Sequence, residues 1–311
     1  MREAADDVTV ACRYRRTMPR SPAFVFSIAV LGIAVFSSMD AVMKVLVREI
    51  GTYDTLLWRT LAGAILTGLI YLPQRTAWPS RATIRVHLIR GSVSAVMAVT
   101  FFWGLARVPM AQAIALTFIA PLLALFGAGF LLKEHISRRA IIASLVAFAG
   151  VGVIMLGQAA SAPSPDRFRG TVAVLLSAVC YAYNIVLMRQ QALVAGPKEV
   201  AFFQSVIVLV ILACGAPFMA HVPDMRHAPA IVGAAMLATA SLLLLAWAYA
   251  RGEANYLAPT EYTAFIWASL WGWVVFGERI ALYTLAGAAL IIAGCLIAAR
   301  RRPVENVEAA I

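Results

Sequence analysis

Long apolar runs alternate with short polar ones along the whole chain. Ten runs are long enough to cross a bilayer, at 24–47, 54–72, 86–106, 110–132, 140–157, 170–188, 200–220, 229–250, 257–276 and 281–299. A hydrocarbon core of about 30 Å needs roughly 20 apolar residues as helix. None of the runs alternates with the period of two that lipid-facing barrel strands require. The pattern predicts an all-α polytopic membrane protein with ten transmembrane helices. The longest connections, 73–85, 158–169, 189–199 and 221–228, are rich in Pro, Ser and charge and leave no room for a soluble domain.

Composition agrees. The chain is 62% apolar and 13% charged, whereas soluble domains are about a quarter charged. Its net charge of +11 would suit nucleic acid, but the basic residues sit in short loops and form no patch. The bilayer is therefore the expected partner, and nucleic acid is not. Ten spans put both termini on one side. With the termini in the cytoplasm, 17 Lys and Arg residues lie inside and 6 outside, the bias that orients membrane proteins. Lys44, Arg59 and Arg90 remain within spans or at their edges. The stretch MREAADDVTVACRYRRTMPRSPAF lacks the apolar core and cleavage site of a signal peptide. Residues 1–23 read as a cytoplasmic tail, with Met18 as an alternative start. Cys12, Cys180, Cys214 and Cys295 are scattered, and His87, His135, His221 and His227 fall at span ends or in loops. Neither set has metal-ligand spacing, so no metal site and no cofactor are expected.

A shift of 144 residues superposes the chain on itself without a gap. Trp103 falls on Trp247, Ala106 on Ala250, Arg107 on Arg251, Ala124 on Ala268, Glu134 on Glu278, Ile136 on Ile280, Gly150 on Gly294, and Asp40 on Asn184. The expected organisation is a first five-helix unit at 24–157, an external linker at 158–169, a second unit at 170–299 and a cytoplasmic tail at 300–311. Five is odd, so the second unit must be inverted. The charges agree: the loop after span 4 carries Lys133, Arg138 and Arg139, and its counterpart after span 9 keeps only Arg279. Inverted repeats are the architecture of secondary transporters, which rock about a central site.

These features together resemble the EamA-type drug/metabolite transporter superfamily, including its amino-acid exporters. The resemblance rests on the glutamates after spans 4 and 9 (LLKEHIS, VVFGERI), the proline in span 4 (TFIAPLLALFGAGF) and the arginine in span 2 (LLWRTLAG), and it covers about residues 24–300. It implies a multi-pass carrier of the bacterial inner (plasma) membrane for small organic metabolites. It also implies a central cavity lined mainly by helices 1, 3, 4, 6, 8 and 9, with helices 5 and 10 peripheral. Phe203 occupies the place of Arg59 in the second repeat.

The polar residues inside the spans are the candidate site. Asp40 and Lys44 share a helix face one turn apart, so they either neutralise each other or form part of a cavity-facing cluster. Asn184 is the neutral counterpart of Asp40. Arg59 could hold a carboxylate in two hydrogen bonds or bond Asp54, Asp40 or helix-end carbonyls. Glu261, after Pro259, could bind an ammonium or sit as a first-turn acid. Glu134 and Glu278 read as fixtures or caps. Trp103, Tyr181, Trp247, Trp267 and Trp271 suggest an aromatic wall for a flat or apolar solute, with Gln112, Thr117 and Gln204 as hydrogen-bonding groups. Pro121 is a bend in span 4 with a gating role as one reading. Small residues in spans 5 and 10 permit close helix packing, within the chain or in a homodimer.

No nucleophile cluster, HExxH, GxSxG or Walker motif is present, so neither an enzyme nor an ATP-driven pump is expected. No filter-like loop suggests a channel. The sequence points to a carrier working by alternating access, an exporter of amino acids with aromatic or apolar side chains, as monomer or homodimer. The alternative solute is a nucleoside- or vitamin-like metabolite such as S-adenosylmethionine or riboflavin.

Overall fold

The computed structural model describes residues 22–74, 78–124, 138–161, 164–252 and 254–299. Glu134, Cys12, residues 1–21 of the expected N-terminal tail and the tail 300–311 therefore lie outside the described residues. Among the described residues the protein is all helical, with no strand. We number its helices α1 Pro22–Ile50, α2 Thr52–Tyr71, α3 Arg81–Leu105, α4 Met110–Thr117, α5 Arg138–Ser161, α6 Pro165–Ala192, α7 Pro197–Met219, α8 Ala228–Tyr249, α9 Thr263–Phe276 and α10 Leu282–Ala299.

Seven of these are long and apolar enough to cross a membrane: α1, α2, α3, α5, α6, α7 and α8. The stretch Met110–Ala124 and α10 are apolar but shorter. Span 4 is broken where its proline predicts. Pro121 has no N–H and its ring collides with the carbonyl four residues back, at Thr117. Helix α4 ends at Thr117, a turn occupies Phe118 and Ile119, and helix resumes at Ala120.

Local signals set the other ends. Ser80 caps α3, its Oγ accepting from Thr83 N at 3.2 Å, and Ser164 caps α6 in front of Pro165. Among the described residues, the glycines with positive φ sit at helix junctions: Gly51 (φ 84°) between α1 and α2, and Gly277 (φ 63°) after α9. Gly277 takes the left-handed conformation that side chains disfavour and turns Glu278 back toward the helices.

The helix contacts repeat. Helix α3 packs on α6 as α8 packs on α1, and α3 on α7 as α8 on α2. The pairs α5–α10, α2–α7 and α4–α9 map onto themselves when five is added to each number. The α5–α10 seam shows this at atomic scale. A Cβ at Gly150 would lie 2.6 Å from the Gly287 carbonyl oxygen, and one at Gly294 would lie 2.5 Å from that of Ala143. Positions 143 and 287, and 150 and 294, are each 144 apart. The small residues of spans 5 and 10 are thus used within the chain, where they let two backbones touch.

Candidate functional site

Lys44 does not neutralise Asp40. Its Nζ lies 2.6 Å from Glu278 Oε1, donates to the Val108 carbonyl at 2.7 Å and sits 4.9 Å from the Phe276 ring centroid. A lysine stem spans more than one helical turn, and the Gly277 turn brings a carboxylate within its reach. Glu278 Oε2 also accepts from Met110 N at 2.7 Å, capping α4, whose first-turn N–H groups have no partner in their own helix. Arg48 adds a looser contact to Glu278 at 3.8 Å. Glu278 therefore ties the C-terminal ends of α1 and α9 to the start of α4, in the capping role expected of it.

Asp40 is left alone. It is 1% exposed and neither carboxyl oxygen has a hydrogen-bond partner. Arg59 on α2 is the countercharge acting on it, without a hydrogen bond between them. Asp54, the other acid near Arg59 in sequence, instead accepts from His221 N at 2.9 Å.

Helix α9 runs parallel to α1. Phe26 meets Tyr256 at one end, ring centroids 5.5 Å apart, and Lys44 meets Phe276 at the other. Asp40 is about 6 Å along the axis from Lys44, and Trp271 about 7.5 Å from Phe276. Trp271 thus lies at the depth of Asp40, with Trp267 one turn further in. The indole Nε1 atoms of both are buried and unpartnered, as are Thr60 Oγ1 on α2 and Gln204 Oε1 on α7. Buried polar groups are nearly always satisfied. Unsatisfied ones therefore stand out on α1, α2, α7 and α9.

A second polar group surrounds Asn184. Its Oδ1 accepts from Arg90 Nε at 2.9 Å, and its Nδ2 donates to Ser94 Oγ at 3.3 Å. Arg90 Nη1 also bonds Gln191 Oε1. Tyr181 lies within the electrostatic reach of Arg90 and Glu261, and Glu261 accepts from Tyr249 OH at 3.0 Å. Asp40 and its counterpart Asn184 thus differ in circumstance: one is bare, the other fully engaged.

The remaining expected residues lie elsewhere. Trp103 and Trp247 sit under arginines near helix ends, with Arg107 3.6 Å and Arg251 4.4 Å from the ring centroids. Gln112 donates to Gln158 Oε1 at 2.5 Å and Thr171 Oγ1 at 3.3 Å between α4, α5 and α6. Thr117 Oγ1 donates to the Ile114 carbonyl at 2.7 Å. A cleft of about 530 Å³ lies beside Glu278, lined also by Arg167, Arg279 and Tyr283. Sequence reasoning gave no role to Arg90, His87 or Gln191. The signal for Arg90 was present, since an arginine within an apolar run demands partners.

An apolar helical bundle with a few unsatisfied polar groups at its centre is the arrangement of a membrane transporter. The chain belongs to the EamA-like transporter family, whose model matches residues 24–156 and again 168–300. It is 28% identical over 282 residues to the pseudopaline exporter of Pseudomonas aeruginosa, spanning 88% of this chain and 95% of that one. It is 30% identical over 231 residues to a riboflavin transporter of Rhizobium johnstonii, 73% of this chain and 72% of that one. An S-adenosylmethionine uptake transporter of Rickettsia bellii is 23% identical over 86% of this chain and 90% of its own length. A solved crystal structure, 22% identical, shares the fold with a TM-score of 0.59, covering 92% of this chain and all of that one. The protein is a multi-pass membrane transporter of small metabolites and not an enzyme.

Proposed function

We propose that the chain is a secondary carrier of the bacterial inner membrane, with ten membrane helices in two inverted five-helix units and both termini cytoplasmic. The recurrence of helix contacts under a shift of five supports this organisation. The carrier alternates access to a site at Asp40 and exports amino acids with aromatic or apolar side chains. The observation that carries this reading is the Asp40 carboxyl group, buried and unpartnered, with Arg59 as its countercharge. A zwitterion satisfies both at once. Its ammonium answers Asp40, its carboxylate takes the fork of Arg59, and its side chain lies on Trp267 and Trp271. Resemblance to an exporter supports the outward direction. The test is counterflow in liposomes against a panel of amino acids, nucleosides and vitamins. Competition by aromatic amino acids is expected; no competition from any amino acid sinks this reading.

A heteroaromatic solute such as riboflavin or S-adenosylmethionine is the second reading. It is favoured by the unpartnered Thr60, Gln204 and two indole N–H groups, more hydrogen-bonding capacity than an amino acid uses. The same panel separates the two.

A further inference from the structure

A continuous line of hydrogen bonds crosses α7, α3 and α6 in the half of the bundle that the topology above makes cytoplasmic. Glu199 Oε1 lies 3.1 Å from His87 Nε2. His87 Nδ1 lies 2.5 Å from Gln191 Nε2. Gln191 Oε1 accepts from Arg90, and Arg90 continues to Asn184. The His87 ring is 1% exposed and stacks on Phe203 at 4.7 Å, 5° from parallel. Neither reading of the transport site uses His87, Gln191 or Glu199.

The line has an enforced direction. Arginine has only donors, so the atom of Gln191 facing Arg90 must be its oxygen. The amide N–H₂ then faces the imidazole, and Nδ1 must accept. The ring proton therefore sits on Nε2 and is donated to Glu199. Arg90 thereby holds His87 as the neutral Nε2–H tautomer through Gln191. A proton added at Nδ1 sets two donors against each other. Gln191 can relieve this by turning its oxygen to the ring, but its N–H₂ then meets Arg90, which also only donates. Turned so, Gln191 no longer accepts from Arg90, while the imidazolium is held by the Glu199 carboxylate.

We propose that His87 is a proton-binding site whose occupation releases Arg90 from Gln191. Among the described residues, the charged groups around the ring are Glu199 on α7 and Arg90 on its own helix. Lys198 is turned away onto Gln74, Arg81 and Arg85 are exposed, and α2 contributes Tyr71, which touches Phe203. Released, Arg90 is left with Asn184. Protonation near the cytoplasmic end is so transmitted to the position that mirrors Asp40. The proton site stands by itself; only what it controls rests on the carrier reading.

The test uses the full chain in lipid nanodiscs with nitrogen-labelled histidine, His87 being assigned by its loss in His87→Asn. If that variant does not fold, a chain with His135, His221 and His227 replaced gives the assignment. The neutral wild-type ring is expected to carry its proton on Nε2. Gln191→Glu is expected to convert it to the doubly protonated form, because a carboxylate accepts from Arg90 and Nδ1–H together. An Nδ1–H tautomer in the wild type, or a neutral ring in Gln191→Glu, overturns the proposal. In liposomes, counterflow should depend on internal pH in the wild type and lose that dependence in both variants; a wild-type profile in both overturns the coupling. If no solute on the panel counterflows, the carrier reading fails while the resonance result still decides the proton site.

Discussion

Lys44 Nζ lies 2.6 Å from Glu278 Oε1, across 234 residues of sequence, and ignores the acid one turn away on its own helix. The ion pair is buried on the lysine side, with Lys44 0% and Glu278 17% exposed. Removing one partner of such a pair strands a buried charge and costs about 3–5 kcal/mol. Glu278→Ala should therefore lower the thermal midpoint in detergent sharply. Pairing it with Lys44→Met, which removes the stranded ammonium, should restore most of the loss. An unchanged midpoint in Glu278→Ala would show that the pair holds nothing together.

Asp40 makes a different prediction. Its oxygens have no hydrogen-bond partner to lose, so Asp40→Asn should cost less stability than Glu278→Ala, the stranding of Arg59 being offset by relief of a bare buried carboxylate. Transport should fall at least tenfold, about 1.4 kcal/mol or more of lost solute binding. A large loss of stability with transport kept would assign Asp40 to the scaffold.

The unpartnered indoles give a milder effect. Trp267→Phe and Trp271→Phe keep an aromatic face but remove the indole N–H together with part of the bicyclic ring. A hydrogen bond to solute worth about 0.5–1.5 kcal/mol predicts a rise in half-saturation of roughly two- to tenfold. Stability should fall by no more than the packing cost of the smaller ring, because no protein hydrogen bond is broken. Dose–response in counterflow reads the first, and thermal melting the second.

The α5–α10 seam tolerates no side chain. Gly150→Val places atoms where the Gly287 carbonyl already is, and overpacking of this kind costs about 1–3 kcal/mol. Gly152→Val, on the same helix with open space around it, should be nearly neutral. Melting of the two side by side checks the contrast.

The seven membrane-length helices were legible in the sequence because long apolar runs have one use. The repeat was legible too, and the Trp103–Arg107 and Trp247–Arg251 stacks make the same contact in each half. The break at Pro121 followed from the missing N–H. Partnership across the fold was not legible. Spacing along one helix offered Lys44 to Asp40, whereas the folded chain offered it Glu278. The second network was hidden for a related reason. Helix α6 continues to Ala192 and α3 starts at Arg81, both beyond the apolar runs that marked their spans. Gln191 and His87, read as loop or span end, are thereby carried into the interior. Hydropathy reports where lipid touches a helix, not where the helix stops.

The bare carboxyl group of Asp40 has a practical consequence. A protein holding an unsatisfied buried group sits below the stability its fold could reach. The molecule that supplies the missing donor raises the melting temperature as it binds, in proportion to the logarithm of its concentration over its dissociation constant. The physiological solute should therefore reveal itself as a stabiliser in a melting screen of candidate metabolites, before any flux is measured, and Asp40→Asn should be deaf to it.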